Sequence, residues 1–339
     1  FRYETENWLF GFYALNLNDG LTTLNLGDYY DPIYDYTDTL NYTFNSDYEA
    51  TNLSLFSQYN NEIKGDTHIS AGFRVERRST KYIDSESLQA NPSETLWGGE
   101  IGIVHNLNDS IGVFAGLSKG YKASGFNLGV IPENLRLYSD EALWMTEIGI
   151  KAHLLNQSLF LNTSVFYQWR VNQQVRTSFQ LTPGDPTTFG FAALNVDKSV
   201  TFGLETELNW MPHQDWEIYL NVGLLDGKFK KVPFNLGIDS LLNRQQAHAP
   251  AYTLAGGIVY RSENGMFARL DATAKDEFYF STSHDQRSQS FGLMNARVGY
   301  EKNNWLISLW GRNLFNKEYA VRGFFFGNEP PDFPDALYT

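Results

Sequence analysis

The sequence predicts an all-β fold, an antiparallel transmembrane β-barrel wall, and three observations predict it. The first is an amphipathic run that alternates every second residue and repeats along the whole chain. These runs reach roughly ten residues or more, the length that crosses a bilayer as a tilted strand, whereas strands in soluble sheets usually stop at about five or six. The second is the order of connections: short Asn/Asp/Gly turns alternate with long loops, as in barrels with tight turns at one rim and large loops at the other. The third is aromatic content. With 25 Phe, 20 Tyr and 8 Trp, aromatics make up 16% of the 339 residues, enough to furnish girdles at both membrane interfaces.

The segment Ser158–Asn172 displays the unit: Leu159, Leu161, Thr163, Val165, Tyr167 and Trp169 fall on one face, and Asn162, Ser164, Gln168 and Arg170 on the other. About thirteen such strands are read by period and turn chemistry. The first spans Glu6–Asn16 and leads into an Asp/Tyr-rich loop, Asp19–Ser46; the second, Tyr48–Asn60, turns at Asn61–Asp66 into the third, Thr67–Arg78. A polar stretch, Ser79–Ser93, precedes the fourth, which turns at Asn106–Asp109 into the fifth, Ser110–Lys122. After the loop Ala123–Asp140 come Leu143–Leu154 and Ser158–Val171, then the loop Thr177–Phe189. Ala193–Trp210 and Trp216–Leu225 flank the turn Met211–Asp215, and a loop runs from Gly227 to Pro250. Tyr252–Arg261 meets Met266–Phe280 at Ser262–Gly265, and Gln289–Tyr300 meets Trp305–Asn313 at Glu301–Asn304.

Composition excludes several classes. The longest nearly apolar run, Trp8–Leu15, falls far short of the ~20 residues of a spanning helix, although 42% of the chain is hydrophobic. Cysteine is absent, which removes disulfides, thiol catalysis and thiolate metal sites. A formal net charge of −13 argues against a nucleic-acid partner. The chain opens on FRYETENWLF with neither an export signal nor an initiator Met, and closes on PDFPDALYT. An antiparallel barrel needs an even number of strands. The reading therefore expects a fragment, with at least one strand after Thr339 and others before Phe1.

Several segments, in order, resemble the C-terminal part of the barrel of TonB-dependent outer-membrane receptors. They are AGFRVE at Ala71–Glu76, SKGYKASGFN at Ser118–Asn127, EIGIK at Glu147–Lys151, FGLETELNW at Phe202–Trp210, NARVGY at Asn295–Tyr300 and GRNLFNKEYA at Gly311–Ala320. Their alternation makes physical sense. Glu147, Gly149 and Lys151 share one face, as do Gly203, Glu205, Glu207 and Asn209, and such charges belong in a wet lumen. The resemblance implies that residues 1–339 are part of a barrel of about 22 strands plugged by an N-terminal domain. The plug, the TonB-contacting box and the closing strand have no counterpart in this sequence.

Candidate ligand contacts follow from that resemblance. The first loop carries Tyr29, Tyr30, Tyr34 and Tyr36 among Asp28, Asp31, Asp35 and Asp38. Aromatic faces beside acids suit a planar or cationic ligand, and carboxylates suit Ca²⁺, although the spacing is not that of an EF-hand and no metal site is assigned. Tyr121, Lys122 and Phe126 sit where the fifth strand opens into its loop, and Arg322, Phe324, Phe325 and Phe326 lie in the tail. Ligand contact and ordinary loop or girdle packing both fit these residues. Gly116–Gly120 matches G-x-S-x-G, but inside a strand and without the helix a nucleophile elbow needs, so no catalytic residue is read. The six histidines show no metal-ligand spacing.

The expected function is uptake of a scarce nutrient across the bacterial outer membrane, first of all an iron–siderophore complex, without bond-making and without a cofactor. Vitamin B12, haem or an oligosaccharide are the alternative cargoes. A passive channel or an adhesin barrel, an outer-membrane lipase using Ser118, and a soluble β-sheet binding protein are the rival classes. Expected partners are outer-membrane lipid, the small-molecule or metal-chelate ligand and, through a plug, the TonB complex.

Overall fold

A computed structural model describes residues 1–25, 29–31, 35–38, 42–63, 65–129, 131–180, 189–232, 241–327 and 335–339. Fourteen strands follow one another in a single antiparallel meander: β1 (Arg2–Glu4), β2 (Trp8–Asn25), β3 (Tyr42–Glu62), β4 (Thr67–Asp84), β5 (Ser93–Asn108), β6 (Ile111–Lys122), β7 (Glu141–Leu154), β8 (Leu159–Gln180), β9 (Phe189–His213), β10 (Trp216–Lys231), β11 (Tyr252–Arg261), β12 (Met266–Lys275), β13 (Phe291–Lys302) and β14 (Trp305–Gly311). Each pairs with its sequence neighbours, and the order does not close on itself among the described residues. The only helical element among them is a short 3₁₀ turn, Glu133–Leu135.

Turn chemistry explains the tight rim. Asn156, Gln157, Asn303 and Asn304 adopt positive φ between 51° and 68°, and Gly265 reaches 99°, the left-handed conformations that two-residue hairpins demand. Because direction alternates at each strand, all these turns share one rim and all the long loops share the other.

The two faces are inverted relative to a soluble sheet. Ile101, Ile148 and Leu309 are 63%, 64% and 77% exposed on the outward face. The inward face carries Glu147, Lys151, Asn162, Ser164, Glu205, Glu207 and Asn221 along one trough. Polar groups there meet water, and the apolar stripe meets hydrocarbon. Phe166 breaks the polar pattern: it shares the inward face of β8, and its ring covers Gly203 directly across the strand pair. Phe114 covers Gly149 in the same way, and Phe267 covers Gly299. The missing side chain makes room for a ring that shields backbone in a wet lumen.

Several strands run further than their hydrophobic period predicts. β2 and β3 continue to Asn25 and from Tyr42, so both ends of the expected loop Asp19–Ser46, residues 19–25 and 42–46, extend the hairpin above the apolar band. Cross-strand hydrogen bonds, Asn16 Nδ2 to Thr51 Oγ1 and Thr22 Oγ1 to Asn45 Oδ1 at 2.9 Å each, stitch that polar extension. β4 likewise reaches Asp84, and β8 and β9 narrow the expected loop Thr177–Phe189 to residues 181–188. β12 is shorter than expected, ending at Lys275, because Phe278 and Phe280 turn inward and are 1% and 4% exposed. The main hydrophobic core, Val175, Leu194, Val196, Phe229 and Leu241, also lies at the loop end.

Candidate functional site at the loop end

Four loop-end segments converge on a cleft of about 620 Å³: the tops of β8 and β9, the segment after β10, the segment after β12, and the tail. Phe191, Phe280, Phe324 and Phe325 give it apolar walls, with Arg176, Arg322, His248 and His284 among them. Arg176 stands 4.9 Å over the Phe191 ring and Arg322 4.8 Å over Phe324. Each guanidinium thus lies within cation–π distance of an aromatic face.

The cleft is braced by ties distant in sequence. Arg244, 8% exposed, donates to Ser281 O and His284 O at 2.6 Å each and stands 4.0 Å over Tyr279. Ser178 and Ser283 join their hydroxyls at 2.9 Å, and Thr282 Oγ1 donates to Arg176 O at 2.5 Å. Burial and the nearby Arg244 guanidinium hold the His284 imidazole below its ordinary pKa, against Asp285, so it is neutral at pH 7. Gln173, 8% exposed, donates to Gln246 Oε1 at 3.2 Å and leaves its own Oε1 without a partner. The cleft thus combines planar apolar walls, two cations and one spare acceptor, which suits an anionic aromatic molecule carrying a hydroxyl or N–H.

Of the residues picked from sequence, Arg322, Phe324 and Phe325 line this cleft. Tyr121, Lys122 and Phe126 lie elsewhere on the same rim. The Tyr121 hydroxyl accepts from Arg74 Nε at 3.1 Å and donates to Glu76 Oε2 at 3.3 Å. Lys122 and Arg170 both pair with Glu141, at 3.1 and 2.8 Å. Phe126 stacks on Tyr82, with centroids 4.6 Å apart. Beside that stack, Arg136 is paired with Asp84, whose carboxylate also accepts from Tyr82 Oη and the Leu88 amide. Tyr29 and Tyr30 belong to a small hairpin with Tyr36–Asp38. Tyr34 lies outside the described residues, as do the side chains of Tyr29, Tyr30, Tyr36 and Phe326.

Sequence reasoning missed Arg176, Phe191, Phe280 and His284. Their contacts span separations as long as 106 residues, which no local period encodes. Gly116–Ser118–Gly120 lies wholly within β6.

Comparison with known proteins places this architecture. The chain matches the family described as TonB dependent receptor-like, beta-barrel, over residues 1–314. It is 21% identical over 350 aligned residues to the pesticin receptor of Yersinia pestis, an alignment covering 96% of this chain and 46% of that protein. It superposes with a TM-score of 0.70 on the ferric yersiniabactin uptake receptor FyuA from Yersinia pestis, at 19% identity, covering 95% of this chain and 56% of that one. The copper transporter OprC also gives 0.70, at 15% identity, covering 94% and 50%. The chain spans about half the length of the curated relatives it matches. That family is one of transporters and receptors of the bacterial outer membrane, not of enzymes, and on a match across residues 1–314 this chain belongs to it as TonB-dependent receptor β-barrel.

Proposed function

We propose that this chain, within residues 1–339, forms part of the barrel of a TonB-dependent receptor that imports a metal chelate, with a ferric siderophore as cargo. The loop-end cleft carries the reading. Its flat aromatic walls and paired arginines match a chelate with aromatic ligand groups and residual negative charge. Proteins of the same fold named as a ferric yersiniabactin uptake receptor and a ferric preacinetobactin receptor support the same class. In this reading the ligand docks at the cleft, the TonB complex acts through a plug, and the polar inward face offers the passage. Oligosaccharides present no anionic aromatic surface to two arginines, whereas haem, a planar ring with two propionates, shares that chemistry and is separated by the uptake comparison below.

The test is equilibrium binding of a ferric phenolate siderophore to the purified receptor and to Arg322→Ala and Phe325→Ala. Each variant is expected to weaken binding about tenfold, roughly 1.4 kcal/mol. Unchanged affinity in both removes the cleft from recognition; a receptor that ignores the ferric chelate but takes up haem or an oligosaccharide overturns the cargo.

A further inference from the structure

The outward face of the wall carries a feature that import does not use. Cross-strand register sets Lys119, Trp144, Trp169, Val200 and Lys228 in one row across β6–β10. Lys119 Nζ lies 3.9 Å over the Trp97 ring and 5.9 Å from Trp144, and Trp144 stacks on Trp169 at 5.8 Å with 2° between planes. One ammonium proton goes to Trp97 O at 2.6 Å. Among the described residues no carboxylate lies within ion-pair distance of Lys119, on which Asp140 acts only through space, whereas Lys228 is paired with Asp226 at 2.9 Å.

The height of the row identifies what it faces. Trp169 stands ten residues above the first residue of β8. That is roughly 33 Å of strand, or about 25 Å of rise at a 40° tilt, which matches the apolar band of a barrel. Trp8, Trp216 and Trp305, each the first residue of its strand, mark the opposite interface. The row is therefore the loop-side aromatic belt, at headgroup level. Below it run Ile101, Ile148 and Val165, exposed by 40–64%.

We propose that Lys119 and its indole surround form a binding site for a phosphorylated lipid of the outer leaflet. The unpaired ammonium takes the phosphate, the indoles fix its height, and the apolar strip below receives the acyl chains. Charge and chain are both required: an ammonium with no carboxylate in contact on a lipid-facing surface draws an anion, and a free anion would leave the strip unused. The proposal rests on the outer-membrane location and is independent of cargo.

The experiment uses detergent-solubilised receptor and counts bound lipid by native mass spectrometry. Dioleoyl phosphatidic acid is compared with dioleoylglycerol, which has the same chains and no phosphate, and with inorganic phosphate as competitor. Phosphatidic acid should bind at least tenfold more tightly than dioleoylglycerol, and Lys119→Gln should lose about tenfold while Lys119→Arg stays within threefold. Lys228→Gln, in the same row but acid-paired, should change binding less than twofold. Equal binding of dioleoylglycerol, displacement by equimolar inorganic phosphate, or equal losses at Lys119 and Lys228 each overturn the site. The lipid comparison on the unsubstituted protein decides the matter even where Lys119→Gln does not assemble.

Discussion

Replacing Arg136 with methionine should release the loop rim without loosening the barrel wall. The Arg136 side chain is 5% exposed and that of Asp84 0%. The guanidinium joins Asp84 to the Glu86 carbonyl, 2.9 Å away, so it ties the segment after β6 to the segment after β4. Removing one member of a buried pair costs about 3–5 kcal/mol, because the other charge stays behind uncompensated. Asp84 keeps three hydrogen bonds, from Tyr82 Oη at 2.8 Å and from the Glu86 and Leu88 amides at 3.0 and 3.1 Å. The lower end, about 3 kcal/mol, is therefore expected, equivalent to roughly 150-fold more frequent opening. Amide hydrogen exchange in residues 85–92 and 123–138 reads that opening directly. Lys81→Met is the control: its pair with Glu49 is 73% and 56% exposed, so exchange should barely change. Acceleration under threefold at Glu86, Leu88 and Asn127 refutes the argument, and so does equal acceleration throughout β4 and β6, which would make the pair part of the wall.

Gly203→Val should lower the heat-modifiable transition of the barrel by an amount reflecting about 1–3 kcal/mol, because its Cβ meets the Phe166 ring and Leu224 O. Adding Phe166→Ala should recover part of that loss; no recovery would separate the ring from the effect. The depressed His284 pKa gives a signed pH dependence. Unfolded imidazole binds protons below about 6.5 while the folded site still resists, so the segment around residues 276–290 should be fully stable above that pH and loosen as pH falls below it. Exchange protection there that rises on acidification, or an acid response unchanged by His284→Gln, would contradict the assignment.

The wall was legible because its constraints are local. Strands such as Glu141–Leu154 and Leu159–Gln180 alternate with period two, and the Asn-rich turns between them announce the hairpins. Legibility failed where the period loses its apolar half. Asn16–Asn25 and Tyr42–Ala50 pair as strands with few apolar residues, and Phe44, Ser46 and Ala50 are buried on one face of the second, so polar side chains diluted the hydrophobic signal. Phe166 departs from the period in the other direction, since an inward aromatic is explained only by Gly203 on the next strand. At the rim, Arg322, Phe324 and Phe325 were visible as an aromatic–basic cluster. Their partners Phe191 and His284 were not, because that neighbourhood is assembled by contacts such as Ser178 with Ser283 across 105 residues.

These ties bear on how recognition can be selective on a wall with little interior of its own. The inward face is polar and the outward face belongs to lipid, so packing that elsewhere fixes a binding site is scarce along the barrel. The rim substitutes for it with a small core around Phe229 and Leu241 and with buried charges, Glu141 under two cations, Asp84 against Arg136, and Arg244 against three carbonyls. Breaking such groups is costly and making them demands fixed geometry, so each holds one segment in one place. Arg244 is closest to the cleft, gripping the carbonyls of Ser281 and His284, both cleft-lining residues. The 281–284 segment and the Arg176 backbone are therefore fixed by the fold itself, and in the proposed reading the entropy of ordering that part of the rim is met during folding rather than on binding.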